Sequence, residues 1–306
     1  MKVNNKIYCL LILATLLGTG CKKFLDVKPE DKFIQEQVFS TRSGINQVLN
    51  GIYMQLAATQ LYGQNLTWSI TELLGQRYNI PSASPWVVYA THNYTDGKSM
   101  SVFSAIWEKA YVAILGTNNF IQSLSNTTGV ITAAQKNLLL GEAYGLRAFV
   151  HFDLLRLYGP RYIALDSLLP SIPYYTRPEA KTEPILPANE VMDKIITDLQ
   201  MAEQYLVNDP IKTKGINGVV LNDGNDFYET FRNRRMNYYA VKALQARVYL
   251  YRGNTTAALE SARAALANEA LFPWTTYASI YTDKINPDRI FSNEVLFGLQ
   301  NAAMYN

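Results

Sequence analysis

Residues that commonly carry enzyme chemistry are few and scattered in this chain of 306 residues. Its two histidines, His92 and His151, are far apart, and no HExxH, CxxC or GxSxG motif is present. The zinc-hydrolase and serine-hydrolase patterns therefore fail. The "GKS" at residues 97–99 has His92 at the position where a phosphate-binding loop requires glycine, which argues against a nucleotide site. We expect no catalytic residues, no cofactor and no metal ion.

Pairs of carboxylates are the remaining candidates for catalysis, because glycoside hydrolysis needs two of them roughly 5–10 Å apart. Asp223 with Asp226, and Glu179 with Glu183, are such pairs in sequence, and both lie in segments rich in glycine or proline. No rigid scaffold is indicated around either pair. We therefore predict a binding protein that is not an enzyme, and a hydrolase is the weaker alternative.

Cys21 carries chemistry of a different kind. It follows a basic start with Lys2 and Lys6, a mostly apolar run over residues 7–17, and small residues at 18–20. This is the order of a secretory signal peptide. The run is shorter than the about 20 apolar residues that span a bilayer as a helix. A cysteine directly after small residues resembles the bacterial lipobox, in which the cysteine sulfur receives a diacylglyceryl group.

We predict that residues 1–20 are a lipoprotein signal peptide, that Cys21 is the lipidated membrane anchor, and that residues 21–35 are a tether. A plain signal peptide is the alternative, because Gly18 stands where the lipobox usually has leucine. Cleavage would remove Cys9, so no internal disulfide is expected. It would also remove two of the 28 Lys and Arg and none of the 25 Asp and Glu. This near-neutral balance without a basic run argues against a nucleic-acid partner.

One long segment, residues 64–97, combines aromatic rings with polar side chains. Sugar rings have apolar faces that lie flat on aromatic rings, and Asn, Gln or Arg side chains can hydrogen-bond the hydroxyls. The candidate ligand-binding residues are Trp86, Tyr89, Tyr94, Tyr78, Arg77 and Asn93. Packing onto a helical core explains each aromatic residue equally well, and Trp68 and Trp107 are predicted to be core residues. A second long loop, 161–187, holds five prolines and two adjacent tyrosines, and such loops are often functional.

Six segments with apolar residues at three- and four-residue intervals must position these loops. The predicted helices cover roughly residues 41–56, 103–124, 132–158, 189–206, 237–251 and 255–266. Thr132 with Gln135 forms a capping-box pattern, and Asn189 is a good N-cap. The segment "NEVLFGLQ" at 293–300 predicts a strand. The fold is therefore predicted to be mostly α, with long loops and little strand.

The last two predicted helices, joined by "RGN", are the most informative pair. Small residues stand where two antiparallel helices must approach closely, namely Ala240, Ala243, Ala258, Ala262 and Ala265. Larger Leu244, Val248 and Leu259 fill the seam. The pair, residues 237–267, resembles a tetratricopeptide repeat. The repeat alone predicts a scaffold for protein contacts, so an adaptor that binds only protein is a second hypothesis.

Seven segments, taken in order, resemble the SusD/RagB family of nutrient-uptake outer-membrane lipoproteins of Bacteroidetes. They are "CKKFLDVKP", "FSTRSGINQVLNGIY", "WEKAYVAILGTNNFI", "GEAYGLRAFVHFDLLRLYG", "ANEVMDKIITDLQMAEQYL", "AVKALQARVYLYRGNTTAALESA" and "NEVLFGLQ". The resemblance covers nearly the whole chain. It implies a SusD-like scaffold built on tetratricopeptide-like helix hairpins, with loops that contact ligand.

The resemblance also implies a role and a domain organisation. Residues 36–270 would be the N-terminal helical domain and residues 271–306 the start of a truncated C-terminal region, because family members are commonly longer. The partner would be a SusC-type TonB-dependent barrel, over which the lipoprotein sits as a lid. The ligand would be an oligosaccharide or a peptide, captured at the outer surface of the outer membrane. A lipid-anchored adaptor and a lipid-anchored glycoside hydrolase remain the alternatives.

Overall fold

The structure is a computed structural model that describes residues 35–216, 218–219, 224–281 and 287–301. The predicted signal peptide, Cys21 and all but the last residue of the predicted tether lie outside this part. The chain divides into two units, Met1–Val38 and Phe39–Asn306. In the first unit only residues 35–38 are described, and they are helical. The second unit holds all the elements discussed below.

The structure confirms a helix in each of the six segments predicted from the sequence. These helices are α1 Arg42–Leu56, α4 Gly97–Asn126, α5 Ala133–Tyr158, α6 Ala188–Tyr205, α9 Tyr238–Arg252 and α10 Thr255–Leu266. Short helices stand between and after them, namely α2 Ile70–Leu74, α3 Val87–Ala90, α7 Ile211–Lys214, α8 Asp226–Glu229 and α11 Tyr277–Tyr281. Two short strands, β1 Pro170–Pro173 and β2 Ile185–Pro187, form one antiparallel pair. The protein is thus mostly helical on a tetratricopeptide-like scaffold.

Local side-chain caps explain where several helices begin. Thr132 and Gln135 form the predicted capping box, each bonding the backbone N–H of the other, at the start of α5. Asn237 and Asn254 cap α9 and α10, accepting hydrogen bonds from N–H groups three residues ahead. Asp96 accepts a hydrogen bond from the N–H of Lys98 at 2.8 Å, so α4 begins at residue 97, six residues before the predicted helix start at residue 103.

Two predictions about local structure were wrong. The N-cap position of α6 is Pro187 and not Asn189, because the chain enters this helix directly from strand β2. Residues 293–300 form no strand. A polar turn takes the place of a partner strand, since Asn237 Nδ2 donates to the carbonyl of Leu296 at 2.6 Å and the N–H of Gly298 donates to that of Asn233 at 2.9 Å.

Helix α5 lies at the centre of the core. It packs against α4 and α6 and also contacts α9 and β1. Buried side chains point from it in every direction, which a helix surrounded by other elements requires. Helices α9 and α10 pack against each other as the predicted hairpin, with Leu244 and Val248 buried. The prediction that Leu259 fills the seam was wrong, because this side chain is 51% exposed. Within the described residues, no helix has both the length and the apolar composition needed to cross a membrane.

A fully buried arginine joins three parts of the core. Arg232 donates to Asp209 through Nε and Nη2 at 3.0 and 2.8 Å, and it also pairs with Glu142 of α5. Tyr53 of α1 donates to the other oxygen of Glu142 at 2.8 Å. Burial, followed by the charge of Glu142, raises the pKa of the Tyr53 hydroxyl, so this group stays protonated as a donor.

Candidate functional site

The segment between α1 and α4 is held in place by its own small core. Ile70 and Leu73 of α2 and Tyr89 of α3 are buried together, and Phe103 of α4 packs against them. The two short helices are therefore fixed on the first turns of α4. A loop with such a cluster presents its remaining side chains in a defined arrangement.

Two residues with left-handed backbone connect the helices of this loop. Gln76 has φ 52° and its Nε2 donates to the carbonyl of Ala90 at 3.3 Å. His92 has φ 56°, and its ring Nε2 lies 3.0 Å from the carbonyl oxygen of Leu74. Positive φ is uncommon for residues other than glycine and persists where surrounding contacts hold it. His92 thus has a positioning role in the loop.

The structure separates the predicted aromatic candidates into two groups. Exposed fractions are 48% for Tyr78, 40% for Trp86 and 54% for Tyr94, whereas Tyr89 is only 7% exposed. Tyr89 therefore lies in the core of the loop. Trp68 was predicted to be a core residue, and this is wrong, because it is 46% exposed. It lies in a run of turns before α2 and not on a helix face.

Each exposed ring is held by at least one contact. The hydroxyl of Tyr78 donates to the carbonyl of Trp68 at 3.3 Å. Trp86 lies 5.9 Å from the ring of Tyr89, and Tyr94 lies 5.6 Å from the ring of Phe103. Exposed large aromatic side chains gathered in one loop are typical of a binding surface.

The two polar candidates are also at the surface. Arg77 Nε lies 3.3 Å from Glu72 Oε2, and the Arg77 side chain remains mostly exposed. Asn93 is exposed and accepts a hydrogen bond from the Thr95 hydroxyl at 3.0 Å through its amide oxygen. Arg77 adjoins Tyr78 in the chain, and Asn93 adjoins Tyr94. Guanidinium and amide donors therefore accompany two of the exposed rings.

A line of aromatic contacts continues from the loop along α4, and sequence reasoning missed it. Successive ring centroids are 5.6, 6.4, 5.0, 4.8 and 5.5 Å apart. The rings in order are Tyr94, Phe103, Tyr158, Trp107, Tyr111 and Tyr175. The four-residue spacing of 103, 107 and 111 places these rings on one helix face and was the available signal. These three rings are half-buried.

Comparison with known proteins identifies the family. Residues 23–216 match the family model of SusD-like proteins, which is described as starch-binding associating with outer membrane. The chain belongs to the SusD-like family.

A SusD-like protein of Formosa agariphila is 29% identical over 272 residues, which cover 87% of this chain and 47% of the relative. The chain thus spans about half the length of that relative. Two solved structures share the fold. A Bacteroides vulgatus protein named for sugar binding aligns with TM-score 0.63 and 22% identity over 84% of this chain and 54% of its own. A SusD superfamily protein of Bacteroides thetaiotaomicron aligns with TM-score 0.66 and 15% identity over 85% and 56%.

The structure adds little support for a catalytic role of the two carboxylate pairs noted in the sequence. Asp223 lies outside the described residues, so its pairing with Asp226 has no geometry. Glu179 lies on the loop between β1 and β2 and faces Arg177 at 3.7 Å. In the described ranges, no group of three or more His, Cys, Asp and Glu residues is arranged to hold a metal ion.

Proposed function

We propose that this SusD-like protein is an outer-membrane lipoprotein that captures a glycan at the cell surface. It delivers the glycan unaltered to a SusC-type TonB-dependent barrel. The description of the family as starch-binding and outer-membrane-associated supports the ligand class and the location. The sugar-binding name of the Bacteroides vulgatus protein supports the ligand class further. The lipid anchor would be Cys21, which lies outside the described residues.

The observation that carries the proposal is the set of exposed rings on a firmly packed loop. Tyr78, Trp86 and Tyr94 are at the surface, while Tyr89 anchors their loop in the core. Because the loop is packed on its own buried cluster, we expect a ligand that stacks on these rings to lose little of its binding energy to ordering the protein. Saccharides are suited to such a surface because one side of the ring is apolar and its rim is polar.

The carboxylates closest in sequence to these rings are engaged in structural contacts. Glu72 pairs with Arg77, and Asp96 caps the first turn of α4. A glycoside hydrolase needs one carboxyl group as acid and a second as base or nucleophile. The loop therefore offers contacts for stacking and hydrogen bonding, which favours capture over hydrolysis.

Affinity electrophoresis in gels that contain soluble polysaccharides tests the proposal. We expect at least one polysaccharide to retard the wild-type chain, and Trp86→Ala and Tyr78→Ala to reduce that retardation. Trp274→Ala is the matched control, because Trp274 is exposed but lies outside the loop. Equal retardation of all variants would exclude the loop as the site. Absence of retardation in every gel would contradict glycan capture, and release of reducing ends would indicate a hydrolase.

Delivery to a barrel is tested separately by co-purification. A tagged chain expressed in a Bacteroidetes host should bring down a TonB-dependent barrel from solubilised outer membranes. The Trp86→Ala variant should bring down the same barrel, because the ligand loop and the barrel contact are proposed as distinct surfaces. Failure of both proteins to bring down a barrel would contradict the delivery step.

A second candidate function, a protein-binding adaptor, is favoured by one observation. Trp274, Tyr277 and Tyr281 are strongly exposed near α11, and the last two stack with centroids 4.4 Å apart. Exposed apolar patches of this kind often mark protein contacts. An adaptor would lose its protein partner in Trp274→Ala and would be indifferent to Trp86→Ala in every polysaccharide gel.

A further inference from the structure

The loop between β1 and β2, residues 174–184, borders a cavity of about 290 Å³ against one face of α4. The cavity is near the lower end of the range for small-molecule pockets, roughly 300–1,000 Å³, so it suits a ligand the size of one sugar ring. Helix α4 contributes Tyr111, Ile114 and Leu115. The loop contributes Tyr175, Arg177, Glu179, Ala180, Lys181 and Thr182.

A buried polar network fixes the base of this loop. Arg147 of α5, which is bonded to Asp198, also donates to Asn118 Oδ1 at 2.9 Å and to the carbonyl of Thr176 at 3.3 Å. Asn118 in turn donates through Nδ2 to the carbonyl of Tyr175 at 3.0 Å. The backbone on which Tyr175 stands is therefore held by buried side chains. Such support is what a preorganised binding residue requires.

Two tyrosine rings form a corner in the cavity wall. The rings of Tyr111 and Tyr175 lie 5.5 Å apart at an angle of 74°. The Tyr111 hydroxyl donates to the carbonyl of Pro173 at 2.9 Å, and the Tyr175 hydroxyl accepts from the N–H of Glu183 at 3.4 Å. These bonds fix the rings through their polar ends and leave the ring surface in the cavity for stacking.

Positive charge exceeds negative charge by one among the residues that line the cavity. Arg177 faces Glu179 at 3.7 Å, which is a loose pair between mostly exposed side chains. Lys181 forms no ion pair with any residue that the structure describes. An ammonium group at the rim of a partly enclosed cavity attracts an anion more strongly than one in open water. A carboxylate on the ligand would supply the missing negative charge.

We propose that this cavity is a second saccharide subsite, selective for a sugar ring that bears a carboxylate. Tyr175 is the stacking platform, and Lys181 with Arg177 binds the carboxylate. The subsite rests on the proposed glycan capture and narrows its ligand to acidic oligosaccharides. The line of rings along α4 runs from the exposed aromatic loop to Tyr111 and Tyr175 in the cavity wall.

Calorimetric titration of the full chain with trimers of galacturonate and glucuronate, and with the neutral galactose and glucose trimers, tests the subsite. We expect an acidic trimer to bind about 10-fold more tightly than its neutral counterpart, and rising salt to remove the difference. Lys181→Met should reduce the preference for the acidic trimer, because only Arg177 then remains to bind the carboxylate, whereas Lys181→Arg should keep the preference. Lys194→Met, which removes an exposed lysine outside the cavity lining, is the matched control.

Stacking is tested with two substitutions at one position. Tyr175→Ala should weaken acidic trimer binding about 3- to 10-fold, and Tyr175→Phe, which keeps the ring, should retain it. Equal binding of acidic and neutral trimers, or full acid preference in Lys181→Met, would overturn the subsite. If Trp86→Ala still reduces binding in that case, glycan capture by the loop stands. If no saccharide binds the wild-type chain, both proposals fail.

Discussion

Arg147 of α5 and Asp198 of α6 form a bidentate ion pair, with Nε–Oδ2 at 2.7 Å and Nη2–Oδ1 at 2.6 Å. Both side chains are almost completely buried. Tyr174 adds a hydrogen bond to Asp198 at 2.5 Å, so the pair also holds the end of β1. The pair therefore connects the central helices to the loop that borders the cavity.

Removing one member of this pair should destabilise the protein strongly. Arg147→Met leaves the Asp198 carboxylate buried without its partner, and we expect a loss of about 3–5 kcal/mol in the free energy of unfolding. Arg252→Met is the matched control, because Arg252 of α9 pairs with Asp193 of α6 at 2.7 Å and both of these side chains are partly exposed to solvent. That change should cost at most about 1 kcal/mol. Urea denaturation measures the free energy of unfolding of both variants. Equal losses would contradict the conclusion that burial makes the Arg147–Asp198 pair the more important of the two.

His151 should make stability dependent on pH. Burial lowers its pKa from 6.5 to about 3, and its ring stacks on Tyr174 with centroids 3.8 Å apart. Between about pH 6.5 and 3 the unfolded chain binds a proton that the folded chain does not. The contribution of neutral, buried His151 to the free energy of unfolding is therefore fully present above about pH 6.5. It is lost as the pH falls below that value, by about 1.4 kcal/mol per pH unit.

The variant His151→Phe keeps a flat ring in this position and cannot titrate. Measured by urea denaturation, the stability of the wild type relative to this variant should fall by about 2 kcal/mol between pH 7 and pH 5. Parallel stability curves over that range would show that His151 is not the titrating group.

The helices were predictable because their signals are local. Apolar residues three and four apart, and the capping box of Thr132 and Gln135 at the start of α5, lie within one or two turns of the helix that they predict. The supposed strand at 293–300 failed for the opposite reason. Its composition suits a strand, but strand formation depends on a neighbour, and this segment packs instead on the turn at Asn233.

Two glycines should respond oppositely to the same substitution. A Cβ at Gly141 of α5 would lie 2.5 Å from Cγ of Leu206 and 3.1 Å from Cβ of Tyr205. We expect Gly141→Ala to lower the free energy of unfolding by about 1–3 kcal/mol through overpacking. Gly51 of α1 has no atom within 4 Å of such a Cβ. Gly51→Ala should raise the free energy of unfolding by up to about 1 kcal/mol. Thermal denaturation of both variants checks the signs.

The two cysteines provide a controlled test of the anchor. We predict that Cys21→Ser abolishes incorporation of a labelled fatty acid and moves the protein from the membrane fraction to the soluble fraction. Cys9→Ser is the matched control, since residue 9 lies in the segment predicted to be removed. Labelling lost in Cys9→Ser, or kept in Cys21→Ser, would contradict the assignment of the lipidated residue.

The candidate site was only partly predictable, because the sequence cannot distinguish rings that have the same composition around them. Trp86 and Tyr89 are three residues apart in the same polar segment, and only the packing of α2 against α3 determines that Tyr89 is buried. The cavity beside Tyr175 was even harder to predict from the sequence. It depends on contacts between residues more than 50 positions apart, such as Asn118 with Tyr175.

This packing difference predicts separate effects for the two neighbouring aromatic residues. Tyr89→Ala removes a buried ring from the cluster with Ile70 and Leu73, and we expect it to lower the free energy of unfolding by about 3 kcal/mol. The loop should then be cleaved more readily in limited proteolysis. Tyr89→Phe keeps the ring and should leave stability nearly unchanged, because the buried contacts of Tyr89 are with apolar side chains.

Trp86→Ala should weaken glycan binding and leave stability nearly unchanged, in contrast to Tyr89→Ala. Trp86 is 40% exposed and lies outside the buried cluster of the loop, so the free energy of unfolding should change by no more than about 1 kcal/mol while retardation in polysaccharide gels falls. Comparing urea denaturation with gel retardation for the two alanine variants separates anchoring from ligand contact. If Tyr89→Ala weakened retardation without any loss of stability, Tyr89 would contact the ligand directly, and its assignment as the anchor of the loop would be wrong.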